Sequence, residues 1–408
     1  MIKDLKKGNT LIVKGPTRIT VVEGEVEVLG KDITSNKEDS SNNQEKVPEN
    51  VIIVPSALSF PLYALKNSKL EVYTNNESNI ELIAENSIPD EWIKIKNDII
   101  DDIKKNEGNP PLKIMVLGIS SGKTTLIKYL ANNFINKGLI GGYLDSDLGQ
   151  QILLPTTLMI GMVDKPFLSL KEIEEEKRFF IGATFPKGVQ KFIVSQYTKN
   201  LINIFSEQHD EIKYILIDTD GWVKTEAGCI YKNFFIRKVD PDILIVFYDE
   251  EIEEYDDILT KAKEDKKRKI VLIKGENKYY YEKTKEERRF LRQSRFSHVF
   301  EEFQKITVPL DDIIFIKRDY DDDLDEVKEV EIKVDNLITL PYHYVLVGLL
   351  DKDSKLINVA LLFTINVEKN YILLFSNLAY KEQKKIKKIL LGSLRLSIKG
   401  NHQGYLYL

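Results

Sequence analysis

Over the first 87 residues apolar and polar positions alternate in short runs, TLIVKG, RITVVEGEVEVLG, NVIIVP and LEVYTN, the period-two pattern of half-buried strands. The polar stretch SNKEDSSNNQEKVPEN (35–50) interrupts them and is expected to be a mobile loop. In SIPDEWIKIKNDIIDDIKK the period lengthens: Trp92, Ile95, Ile99 and Ile103 recur at helical spacing, with Ser87 expected as N-cap and Pro89 in the first turn. The consecutive prolines of EGNPP (107–111) mark a boundary, because they resist both helix and central strand.

From Leu112 apolar strands alternate with amphipathic helices. The strands are KIMVLG (113–118), LIGGYLD (139–145), KYILID (213–218), DILIVFY (242–248) and KIVLIKG (269–275). Between them, TTLIKYLANNFINKG stacks Leu126, Leu130 and Phe134 on one face and can end at Gly138, and VQKFIVSQYTKNLINIF does the same with Phe192, Ile193, Tyr197, Leu201 and Phe205. This alternation predicts a parallel α/β core, whose ligands sit at the carboxyl ends of the strands. From about Val308 β-like runs return (DDIIFIK, YHYVLVGLLD, NVALLFTI, NYILLFS, SLRLSIKG), and DYDDDLDE (319–326) is expected as a solvated loop, since consecutive carboxylates repel. The expected divisions are an N-terminal β domain (1–87), a connecting helix and linker (88–111), an α/β domain (112–307) and a C-terminal mainly β domain (308–408).

Composition narrows the class. The 408 residues are 42% hydrophobic and 30% charged, enough for two or three cores and too charged for a membrane protein. No apolar run approaches the roughly 18–20 residues that span a bilayer, and the opening MIKDLKKGNT lacks the apolar core of a secretory signal. The single Cys229 excludes an internal disulfide and fits a reducing compartment: cytoplasm, or nucleus in a eukaryote. The scattered His209, His298, His343 and His402 argue against a zinc site. A net charge of −5 does not suit non-specific coating of nucleic acid but leaves room for a local basic grip.

The chemistry begins at KIMVLGISSGKTT (113–125). It has the strand, glycines, lysine, hydroxyl and helix of a phosphate-binding loop, but three residues separate Gly118 from Gly122 where the general pattern has four. The candidate nucleotide-binding residues are Gly118, Ser120, Ser121, Gly122, Lys123, Thr124 and Thr125. A helix N-terminus supplies N–H groups for phosphate, Lys123 would neutralise β and γ oxygens, and Thr124 would hold Mg²⁺. An ordinary Gly/Ser turn is the plainer alternative, and the strand–loop–helix context favours phosphate.

Other candidates lie at the next carboxyl ends. In LDSDLGQ (144–150), Asp145 and Asp147 would face one side if the strand persisted. A carboxylate there can orient Mg²⁺ or take a proton from a hydroxyl acceptor, and equally can cap a turn. Asp218 ends the third strand, where a carboxylate assists Mg²⁺. Trp222 follows in a glycine turn, either as core filler or as a face on which a base stacks. KTKEERRFLRQSR (283–295) carries six cations against two carboxylates, with Arg288, Arg292 and Arg295 on one helical stripe bordered by Lys285. It reads as a lid over transferring phosphate, work suited to the guanidinium fork.

Taken together, these elements resemble the polynucleotide 5′-hydroxyl kinase family, which includes the kinase subunit of the pre-mRNA cleavage factor, nucleolar kinases of ribosomal RNA processing, and archaeal relatives. GISSGKTT looks like its phosphate loop, DLGQ (147–150) its aspartate–x–Gly–Gln motif, TDGW (219–222) its Thr–x–Gly–Trp clasp, KTKEERRFLR (283–292) its lid, and GATFP (182–186) a substrate-side segment with Thr184 at the clamp threonine. VGLLD and GSLRLSIKG resemble its C-terminal region more weakly. The chain departs from the pattern in the shortened loop, in Lys283 at a lid position where members often carry arginine, and in Asp218 where many have asparagine.

The resemblance implies a P-loop NTPase-type α/β core between two mainly β domains, archaeal in type. It implies transfer of the γ-phosphate of ATP, with Mg²⁺, to the 5′-hydroxyl end of RNA, DNA being left open. Lys123, Asp147, Arg288 and Arg292 would be catalytic, Asp147 as the base. Thr184, Gln150, Thr219, Gly221 and Trp222 would hold the acceptor, and Thr124, Asp147 and Asp218 the metal. RNA-processing proteins are the expected partners and a membrane is not. The rival readings are an ATP-binding scaffold subunit of an RNA-processing complex and a P-loop NTPase driving conformational change.

Overall fold

The long apolar runs of the middle of the chain pair into one seven-stranded sheet. Its order is Glu175–Phe180, Thr157–Val163, Gly141–Asp145, Tyr214–Asp218, Leu112–Leu117, Ile243–Tyr248 and Lys269–Lys274. The computed structural model describes residues 1–35, 48–119, 122–151, 153–265, 267–274, 279 and 283–407. From Gly141–Asp145 to Lys269–Lys274 every neighbouring pair is parallel, as strand–helix alternation demands. The first two strands in the order are antiparallel additions at one edge, and the sequence pattern did not mark them. Glu175–Phe180 is largely charged and carries no strand signature of its own.

Helices α1 (Asp90–Lys105), α2 (Lys123–Ile135), α3 (Gln190–Gln208), α4 (Glu226–Val239), α5 (Glu254–Ala262) and α6 (Lys285–Phe300) accompany this sheet. One sheet face, with α1 and α2, shares a continuous core with the N-terminal strands; the other packs on α3, α4 and α5. The N-terminal strands form a four-stranded and a five-stranded sheet. Trp92 of α1 is 2% exposed and joins them to the α/β core, with ring contacts to Tyr129 at 6.2 Å and Phe247 at 6.1 Å. Buried Asn132 of α2 adds a polar stitch, donating to the Leu29 and Phe167 carbonyls at 2.9 Å each and accepting from the Phe167 amide.

One local expectation changes and another is refined. The N-cap of α1 is Pro89, not Ser87, and no side chain caps it; Ser87 is buried, and its hydroxyl has no partner among the described residues. The acidic run 319–326 is the exposed turn of a hairpin with the strand ends beside it, its strands being Ile314–Asp321 and Glu326–Glu331. Cross-strand and inter-domain cations, Lys328 on Asp321 at 3.0 Å and Lys238 on Asp325, relieve the repulsion that spacing alone suggested. The polar stretch 35–50 falls mostly outside the described residues.

The C-terminal strands build an eight-stranded sheet, with His402–Tyr405 pairing to Lys388–Leu396. It meets the α/β domain where two glycines allow backbones to touch. Ser393 and Leu394 amides donate to the Gly182 carbonyl at 2.8 and 3.1 Å. A Cβ on Gly392 would stand 2.5 Å from the Leu346 carbonyl oxygen and 2.8 Å from Gly182 Cα. Phe296 and Phe300 of α6 are buried in a cluster with the same sheet, so the C-terminal end of that helix is anchored there. We therefore expect Gly392→Ala to lower stability by about 1–3 kcal/mol and to loosen the 182–186 segment. A thermal melt reads the first effect, and limited proteolysis at 182–186 the second.

Candidate functional site

The strand Leu112–Leu117 delivers the chain to Gly118, and α2 begins five residues further on. Gly122 caps α2 with φ 84° and ψ 17°, a left-handed conformation that glycine adopts without a Cβ penalty. The first N–H groups of α2 therefore point outward, unpaired by the helix. Lys123 Nζ is folded back onto the Gly118 carbonyl at 2.7 Å. Thr124 Oγ1 donates to Asp218 Oδ2 at 2.6 Å, tying the helix to the end of the neighbouring strand. Ser120 and Ser121 lie outside the described residues.

Parallel register sets Asp145 opposite Asp218. Ser146 locks the two strand ends together, donating its amide and hydroxyl to the Asp218 carbonyl at 2.9 and 2.6 Å. The strand stops at Asp145, so Asp147 does not continue it: Asp147 heads a turn, its Oδ1 accepting from the Gly149 and Gln150 amides at 3.0 and 3.1 Å. The two aspartates are thus separated in role. Asp145 is buried with its Oδ1 on the Asp147 amide at 3.0 Å, whereas Asp147 borders the cavity. Burial, then the charges of Asp218 and Asp147, drives Asp145 well above the usual carboxylate range. Burial also raises Asp218, against Lys123 and the Thr124 hydroxyl. Asp147 is raised by burial and then by Asp220, with Lys123 opposing.

The clasp TDGW folds around an ion pair that the sequence did not reveal. Asp220 Oδ1 accepts from the Trp222 amide at 2.8 Å, while Oδ2 lies 3.0 Å from Nζ of Lys232, which is fully buried on α4. The approach is an ion pair without hydrogen-bond directionality. Burial holds the Lys232 ammonium below its usual value even though Asp220 favours its charge. The only hint in the sequence was a lysine inside the apolar run CIYKNFF. Trp222 is not core filler: it lines the cavity, rests on Phe185 with centroids 4.2 Å apart, and donates from Nε1 to Thr225 Oγ1 at 2.9 Å. Gly228 makes room for it, since a Cβ there would be 3.0 Å from the indole.

The lid is α6, opened by a capping box between Thr284 and Glu287. Its arginine stripe divides. Arg288 and Arg292 line the cavity with Lys283, whose ammonium is held below its usual value by burial and then by Arg295 and Arg288. Arg295 turns instead to the Gln150 carbonyl at 2.7 Å and braces the DLGQ turn.

These elements wall one cavity of about 480 Å³, which takes in Gly122, Lys123, Thr124 and Thr125, Asp147 and Gln150, Thr184, Asp218, Thr219, Gly221 and Trp222, and Arg288 and Arg292. Gly118 stands just behind it, held by Lys123. Thr219 borders the cavity, but its hydroxyl is engaged with the Val116 carbonyl at 2.7 Å and is not offered to a ligand. The opposite wall, to which the sequence reading gave no role, comes from the N-terminal sheets and α1: Ile12, Leu29, Leu58, Pro61 and Trp92. Among the described residues no three His, Cys, Asp or Glu side chains could hold a metal alone. Thr124 and Asp218 together make the hydroxyl–carboxylate set that Mg²⁺ takes when phosphates complete its shell.

Comparison with known proteins agrees with this geometry. Residues 118–302 match the family described as mRNA cleavage and polyadenylation factor CLP1 P-loop. The chain is 28% identical over 339 residues to the polyribonucleotide 5′-hydroxyl-kinase of Methanocaldococcus jannaschii, covering 74% of this chain and 91% of that protein. It is 33% identical over 207 residues to the polyribonucleotide 5′-hydroxyl-kinase of Pyrococcus furiosus, covering 50% and 55%. Clp1p, solved in complex with Pcf11p, superposes with a TM-score of 0.68 over 97% of each chain at 14% identity, a likeness of fold. The phosphate loop, DLGQ turn, clasp and lid thus meet around one cavity in a chain whose residues 118–302 match the CLP1 P-loop family and which is similar to archaeal polyribonucleotide 5′-hydroxyl kinases.

Proposed function

We propose that the cavity transfers the γ-phosphate of ATP to the 5′-hydroxyl end of RNA. The observation that carries this reading is convergence: a phosphate-cradling helix start, a carboxylate in a tight turn, a half-buried indole and two arginines share one space. DNA ends and protein partners from RNA processing are finer questions of the same site. A purine fits between the apolar N-terminal wall and the phosphate loop, which orients the triphosphate toward Lys123.

The chain's own groups supply the chemistry. Lys123 swings from the Gly118 carbonyl to the β and γ oxygens, replacing one acceptor with a charged one. Mg²⁺, held by Thr124 and Asp218, would neutralise charge on the phosphates. Trp222, backed by Phe185, stacks the terminal base, and Thr184 borders the same face. The 5′-hydroxyl gives its proton to Asp147 as its oxygen bonds to the γ-phosphorus and the bond from that phosphorus to the β–γ bridging oxygen breaks, releasing ADP. Arg288 and Arg292 stabilise the charge on the moving phosphoryl group. The raised affinity of Asp147 for protons suits a base.

Asp147→Asn should keep ATP and RNA binding and lose transfer by about 10²–10⁴-fold. With radiolabelled ATP, label on a 5′-hydroxyl oligonucleotide supports the kinase, free phosphate alone an NTPase, and neither a scaffold. Undiminished turnover in the variant would remove Asp147 from the role of base. A second outcome follows from the ion pair below the clasp. Asp220 raises the proton affinity of Asp147, so Asp220→Asn leaves Lys232 uncompensated and should move the acid limb of kcat/KM to lower pH. An unmoved limb would show that Asp147 does not set it.

A further inference from the structure

Beyond the phosphoryl-transfer cavity a second groove opens, of about 300 Å³, between the lid helix α6 and the last strand of the C-terminal sheet. The two spaces are continuous, for Thr184 and Arg292 line both. The floor is apolar, with Phe296 and Leu394, and the rim carries Arg289, His402 and Tyr405. Arg289 is exposed, and neither it nor Arg292 makes an ion pair or side-chain hydrogen bond among the described residues. Their positive charge, after partial burial, holds the His402 imidazole below its usual value, which places all three groups over the same space. Such cations gathered without a counter-charge call for an anion.

The aromatic groups complete the picture. Tyr405 is 42% exposed and Tyr407 69% exposed. His402 and Tyr405 meet edge to face at 4.7 Å on this groove, while Tyr407, 6.0 Å from Tyr405, and Lys187, 5.8 Å from the Tyr407 ring, line the neighbouring one. Exposed rings interleaved with cations along a groove are the pattern that binds single-stranded nucleic acid without reading its sequence. A neighbouring groove that passes Phe185 also reaches Tyr405, but its Arg318 is buried and committed to the Phe180 carbonyl at 2.8 Å. Lys187 and Lys317 border that groove too, but the Arg289–Arg292 pair and the shared wall of Thr184 and Arg292 with the phosphoryl-transfer cavity select the lid side.

We propose that this groove carries the acceptor strand beyond its first two nucleotides, with Arg289 and His402 on phosphodiesters after the first and Tyr405 beneath a following base. The proposal rests on the kinase reading for the position of the 5′ end. It assigns the C-terminal strand His402–Tyr405 to substrate binding and predicts a preference for acceptors several nucleotides long.

The test compares a 5′-hydroxyl RNA dinucleotide with a ten-nucleotide single strand as acceptors for the full chain and for Arg289→Ala and Tyr405→Ala, both exposed positions. Each variant should raise KM for the ten-mer about tenfold, leave kcat unchanged, and leave the dinucleotide KM unchanged; Arg289→Lys should recover part of the loss. An equal KM change on both lengths, or none on the ten-mer, overturns the groove. Fluorescence anisotropy of the 3′-labelled ten-mer with a non-hydrolysable ATP analogue separates the two readings. Binding by the unaltered chain that weakens about tenfold in Arg289→Ala, with no transfer to any acceptor, sinks the kinase and keeps the groove. Transfer with variant-insensitive binding does the reverse, and absence of both binding and transfer overturns both.

Discussion

The parallel register that sets Asp145 beside Asp218 is the constraint around which the site is built. Two carboxylates at adjacent strand ends are joined through the following turns by Asp147 and Asp220, and all sit where water is scarce. Packed negative charge in a desolvated place is unfavourable unless cations or protons answer it. Lys123, Lys232, Lys283 and Arg295 provide compensation, and Asp145 is driven toward its neutral form. The remaining demand is for a mobile cation and for the arginines of the lid.

That electrostatic arrangement needs rigid walls, and three parts of the chain provide them. The N-terminal sheets are fused to α1 and α2 through one core, so the apolar wall cannot drift from the phosphate loop. The C-terminal sheet touches the Thr184 segment backbone to backbone at Gly182 and Gly392, and it buries Phe296 and Phe300 of the lid helix. One sheet therefore positions both the clamp segment and the far end of the lid. The lid is thus held at its C-terminal end through Phe296 and Phe300, while Arg288 and Arg292, nearer its beginning, face the cavity.

Periodicity and motif order in the sequence were enough for the parallel core, the phosphate loop, the DLGQ turn, the clasp and the lid, because each is a local pattern whose chemistry depends on spacing along the chain. The same local view misplaced Ser87 as a cap, gave no pairing for the acidic run, left Trp222 open between core and ligand, and put Arg295 on one stripe with Arg288 and Arg292. The last three depended on a neighbour far away in sequence: Lys238 for Asp325, Phe185 for the indole, the Gln150 carbonyl for Arg295. Thr219 belongs to the clasp motif, yet its hydroxyl serves Val116.

The sequence by itself determined which side chains can do the chemistry and in what order they come, since glycine freedom, charge and helical spacing are properties of short segments. Only the tertiary structure decided that Lys232 lies beneath the clasp, that the N-terminal sheets close the cavity, and that the strand His402–Tyr405 lines a groove continuous with it. The reason is physical: burial and Coulomb interactions depend on distance through space, and residues from dozens to over two hundred positions apart became neighbours through sheet register and glycine contacts that carry no local signature.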